Sequence, residues 1–87
     1  MKGSRENGNW VGVDWGESEH HVSVVDTNRQ VKKRFHVPHS PKGMSTLDDT
    51  LRTFQPILGI AIESSRNLLI THLLAQGYTV YFINPKL

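Results

Sequence analysis

The chain has 87 residues, 37% hydrophobic and 21% charged, with a net charge of +2 and no cysteine. That length supports one small domain, and the lack of cysteine excludes disulfides and thiolate metal sites and fits a reducing cytoplasm. The slight positive charge does not by itself announce nucleic-acid binding, and no apolar run is long enough to cross a bilayer, so no membrane partner is expected.

Residues 1–9 are polar and lack an apolar core, which predicts a flexible tail ahead of a domain over residues 10–87. The first strand is expected over Trp10–Asp14 and the second over His20–Thr27, with Val22 and Val24 on one face and Val25 on the other. Asp26-Thr27-Asn28-Arg29 reads as a hairpin turn. In the third strand Val31, Lys33, Phe35 and Val37 alternate with Lys32, Arg34 and His36, and Pro38 stops it.

Ser40 reads as an N-cap with Pro41 at the first helical position. Met44, Leu47, Leu51 and Phe54 then recur on one helical face until Pro56. Ile57–Ile62 is apolar on both faces, as a buried parallel strand is. Ser64 or Ser65 can cap a second helix carrying Leu69, Leu73 and Leu74, with Gly77 at its C′ position. The last strand is expected over Tyr78–Ile83, closed by Asn84-Pro85.

Three hairpin-linked strands followed by αβαβ predict an α/β fold with a mixed five-stranded sheet of order 3-2-1-4-5 and two helices, an incomplete ribonuclease H-like core. In that order the carboxyl ends of the first and fourth strands adjoin, so Asp14 and Glu63 face a common site, where open α/β sheets place their ligands. Paired carboxylates are the ligands a divalent metal needs for phosphodiester chemistry. The plainer reading is that Asp14 opens a turn and Glu63 favours the start of the next helix.

The strand–Asp-x-Gly–turn–strand pattern around Asp14-Trp15-Gly16-Glu17-Ser18 is similar to the one that opens the actin-like and sugar-kinase ATPases, which leaves an actin-like nucleotide-binding fragment as an alternative. Arg29, Lys32, Lys33 and Arg34 form a basic segment that can contact a nucleic-acid backbone or protect an edge strand. His20, His21, His36, His39 and His72 show no metal-ligand spacing and read as solvated or hydrogen-bonding. Asp48 and Asp49 read as a solvated helix face, and Ser64 and Ser65 as caps before nucleophiles.

Val11-Gly12-Val13-Asp14-Trp15-Gly16, followed by His20-His21-Val22 and Val24-Val25-Asp26, resembles the amino-terminal domain of the DEDD transposases of the insertion sequence 110 family, a pattern shared by the pilin-gene inverting recombinases. Val37-Pro38 with Lys42-Gly43, Ala61-Ile62-Glu63, Gly77 with Tyr78 and Val80, and Ile83-Asn84-Pro85 extend the resemblance along the chain. It implies a domain similar to the Holliday-junction resolvase RuvC, with four acids binding Mg2+ or Mn2+. Asp14 matches the first acid and Glu63 the second, as metal ligands and catalytic residues.

The family's remaining two aspartates follow the Asn-Pro segment, and its serine-bearing carboxyl-terminal domain follows those. The resemblance therefore implies the front of a transposase that cleaves and transfers DNA strands when full length, with metal held weakly here and no activity expected alone. It further implies DNA, a structured guide RNA, the remainder of the transposase and further copies of itself as partners, in the cytoplasm at the nucleoid. A non-catalytic remnant that binds nucleic acid or another partner is the other alternative.

Overall fold

The computed structural model describes residues 7–63 and 68–83. Along the chain run β1 (Asn9–Asp14), β2 (Glu19–Asp26), β3 (Val31–Pro38), α1 (Pro41–Arg52), β4 (Ile57–Ile62), α2 (Leu68–Ala75) and β5 (Val80–Phe82). The strands form one sheet of order β3-β2-β1-β4-β5, the order expected. β1 pairs antiparallel with β2 and parallel with β4; β3 continues the antiparallel half and β5 the parallel half.

Period-two alternation decides which side of the sheet is covered. Val11 and Val13 of β1, Val22 and Val24 of β2, Val37 of β3, and Ile60 and Ile62 of β4 form a single buried cluster with Leu47 and Leu51 of α1 and Leu69, Ile70 and Leu73 of α2. Both helices therefore lie on one face, and each fully buried leucine or isoleucine there contributes about 1.5–3 kcal/mol of transfer free energy. The alternate residues Trp10, Gly12 and Asp14 of β1 look toward the other face.

Local chemistry sets the helix ends. Ser40 is extended, and its Oγ accepts a hydrogen bond from the Gly43 amide at 3.0 Å, with Pro41 opening the helix as expected. Gly43 is buried where a Cβ would collide with the Pro38 carbonyl oxygen, so α1 approaches β3 closely. α1 ends at Arg52, before Pro56, and Phe54 folds back against the core. Gly77 takes φ 91° and its amide bonds to the Leu74 carbonyl at 3.0 Å, the left-handed stop expected after α2.

Several details differ from the sequence reading. β1 starts one residue early because the Asn9 amide bonds to the Pro56 carbonyl at 2.9 Å and its side chain to the Phe54 carbonyl at 2.6 Å. Pro38 closes β3 from within; β3 is an edge strand, where a missing amide donor is tolerated. On α2, Leu74 is 52% exposed while Ile70 is buried, so the apolar stripe is rotated from the expected one. β5 is only three residues long, and Asp48 is not a solvated residue but pairs with His72 across the two helices at 2.8 Å. The expected caps Ser64 and Ser65 lie outside the described residues.

Candidate metal centre

Asp14 is the last residue of β1, and Glu63 directly follows Ile62, the end of β4. Val13 is in register with Ile62, so the next residue on each strand emerges beside the other at the same end of the sheet. The two exposed acids line one cavity of about 350 Å³. Its floor is Gly12 and Ala61, adjacent partners on β1 and β4, with Ser23 of β2 beyond. Beyond Gly12 and its chain neighbours, no atom of the described residues lies within 4 Å of the place a Cβ on Gly12 would occupy, so the floor is open.

The donor set fits a hard divalent cation: two carboxylates on the open end of the sheet, accessible to the water such an ion retains. Among the described residues no three metal-ligating side chains already converge.

The structure sorts the five histidines in a way the spacing did not convey. His20 is fully buried, in phase with Val22 and Val24. Its Nδ1 accepts from the Gly16 amide at 3.3 Å, which leaves Nε2–H to donate to His39 Nδ1 at 2.9 Å. His20 therefore ties down the turn that follows Asp14. Trp15 stacks on the His20 ring at 5.9 Å, and its buried indole N–H has no partner among the described residues. Burial, and secondarily the neighbouring His39, hold the His20 pKa below the ordinary histidine value.

His21 faces the other way. It stands directly opposite Asp14 in the β1–β2 ladder and lines the cavity with Asp14 and Glu63. Its Nε2 lies 3.3 Å from Glu19 Oε2, and Glu19 Oε1 lies 3.1 Å from His36 Nδ1. The two imidazoles stack at 5.5 Å. The signal in the sequence was parity: His21, Ser23 and Val25 alternate with the core residues His20, Val22 and Val24.

The basic segment is divided. Arg29 sits at φ 66° in the β2–β3 turn, where Asp26 Oδ1 accepts the Asn28 and Gln30 amides at 2.8 and 2.9 Å. Lys32 lines a polar cavity with Asp26 and Asn28 at the end of the sheet away from Asp14. Lys33 is paired with the core residue Val24 and lies toward α1, whereas Arg34 is paired with Ser23 on the carboxylate face. Of these four cations, Arg34 is the one the ladder assigns to the face that bears Asp14.

The sheet order, the parallel β1–β4 pair and the two helices on one face make this a ribonuclease H-like fold. The large terminase nuclease from thermophilic phage G20c, known from a crystal structure, has a similar fold at TM-score 0.71 and 13% sequence identity. The superposition covers 95% of this chain and 47% of the terminase chain, so the chain spans about half the length of that structure. The transposase family profile of DEDD type, insertion sequence 110, matches residues 11–87, and the chain belongs to that family. No curated protein matches the chain in sequence.

Proposed function

We propose that the chain is the amino-terminal part of a metal-dependent transposase nuclease domain, with residues 10–87 as that part and residues 1–9 as a tail. Asp14 and Glu63 are its metal ligands. The observation that carries this reading is the emergence of the two acids side by side from β1 and β4 into one cavity. A bound Mg2+ or Mn2+ would supply Lewis-acid stabilisation of charge on a scissile phosphate.

The chain's own residues would do the rest. Asp14 and Glu63 orient the ion, His20 holds the Asp14–Glu19 turn through the Gly16 amide, and the bare Gly12–Ala61 floor leaves room for a substrate. Two carboxylates do not complete a two-ion site, so strand cleavage is assigned to the whole transposase, acting on DNA as an oligomer with a structured guide RNA. Arg34 is the first candidate phosphate contact; Arg29, Lys32 and Lys33 serve a duplex only if it wraps the β2–β3 hairpin. Family membership favours this reading over an actin-like nucleotide-binding fragment.

Paramagnetic broadening by Mn2+ tests it. Amide signals around Asp14 and Glu63 should broaden at low added Mn2+, and Glu63→Ala or Asp14→Ala should abolish the effect. Spectra unchanged by Mn2+ would sink the proposal.

A further inference from the structure

We propose that the sheet face opposite α1 and α2 seats an unpaired nucleic-acid strand, its bases stacking on Trp10 and Tyr81 and its backbone running to Arg34. Only the arrival of that strand at a cleavage centre rests on reading Asp14 and Glu63 as metal ligands; the seat itself does not.

One row of paired residues crosses all five strands: Arg34 of β3, Ser23 of β2, Gly12 of β1, Ala61 of β4 and Tyr81 of β5. With strands roughly 4.8 Å apart, the row is about 19 Å long. Trp10 is on the same face two residues before Gly12, and its ring centroid lies 6.0 Å from that of Tyr81. Both rings lie over Gly59, where a Cβ would come within 2.6 Å of each. From the rings to Arg34 the side chains are short, and this clear stretch opens into the cavity that Asp14 and Glu63 line.

Neither ring serves the core. Both stand outside the buried cluster, Trp10 40% and Tyr81 50% exposed. A paired set of large aromatics on an open face marks a surface that meets something, and the charge beside it decides what. Arg34 is exposed and has no ion-pair or hydrogen-bond partner among the described residues. An apolar protein surface would leave that guanidinium unmatched, whereas a nucleic-acid strand brings phosphate to it and bases to the rings. In a duplex the bases cover one another's faces, so the rings select a strand that is unpaired.

The test uses the full 87-residue chain in EDTA, with labelled oligothymidine, oligouridine and a duplex of the same length followed by fluorescence anisotropy. Both single strands should bind more tightly than the duplex and quench tryptophan fluorescence; the tighter of the two identifies the occupant as DNA or RNA. Tyr81→Leu and Trp10→Leu keep apolar bulk without a ring, and each should weaken single-strand binding by about tenfold, whereas Tyr81→Phe and Trp10→Phe should retain it. Arg34→Gln should reduce the slope of log affinity against log salt by about 0.7. Unchanged thermal melting confirms that each variant folds.

A duplex that binds as tightly as the single strands overturns the proposal, as do leucine variants that bind as well as the unchanged chain. It also fails if no oligonucleotide binds and Tyr81→Leu abolishes self-association, because the face is then a contact between copies. No metal is present, so the result is separate from that of Mn2+ binding. Single-strand binding that survives Asp14→Asn and Glu63→Gln together upholds the seat even where the metal reading fails.

Discussion

At the scale of single residues, one step along β2 separates two histidines with opposite fates. His20 enters the core neutral, and its pKa is lowered there by burial and then by His39. An unfolded chain takes up the proton near pH 6.5, and the folded chain resists it. The unfolded state therefore binds more protons as the pH drops below about 6.5, and stability falls with it. The melting temperature should accordingly hold steady above that pH and decline below it, and His20→Gln should flatten the decline. A melting profile of equal slope in both chains would remove His20 as its cause.

Parity held the signal, although the sequence reading left His20 among the solvated or hydrogen-bonding histidines. The valines at alternate positions of β1 and β2 mark the covered face, and the same count assigns His20 to that face and His21 to the side of Asp14. The Asp48–His72 pair was not legible, because its members are 24 residues apart and meet only when α1 and α2 dock. The Glu19–His36 contact likewise depends on the β2–β3 register, which the bulge between Val24 and Val25 shifts.

At the scale of elements, α1 was the easier helix to read, since its polar and apolar positions separate cleanly around the Ser40 cap. Ser40→Ala should remove the acceptor for the Gly43 amide and lower stability by about 1 kcal/mol, measured by urea denaturation. An unchanged midpoint would mean that Pro41 alone sets the helix start. α2 misled because Leu68, Leu69, Ile70, Leu73 and Leu74 are all apolar, so the sequence offers more than one face and docking selects among them. Leu69, Ile70 and Leu73 are the ones buried. The strand order, by contrast, followed from short hairpins and crossover handedness, which leave little choice.

At the scale of the molecule, both described helices cover the same side of the sheet. Trp10 and Tyr81 lie tilted against each other across Gly59 on the opposite side, with ring centroids 6.0 Å apart. The short edge strand β5 exposes Tyr81 and Phe82 by half or more, and Ile83 beyond it by 46%. Three residues are short for strand pairing, but the exposed apolar side chains along them form a patch through which copies can associate. Sedimentation should therefore show association that grows with concentration, and Phe82→Lys should reduce it; equal behaviour of both chains would argue that the edge is not the contact. No helix of the described residues is long and apolar enough to cross a membrane.

The junction of β1 with β4 has a kinetic consequence. Asp14 and Glu63 stand 49 positions apart in the chain and adjoin only once a parallel pair has closed that long loop. Loop closure of this kind is slow relative to hairpin formation. An ion held by both acids, as proposed, would be blind to a chain in which only the β1–β2–β3 meander has formed. Time-resolved capture of Mn2+ during refolding would thus clock the appearance of the β1–β4 pair, separately from the hairpins that precede it.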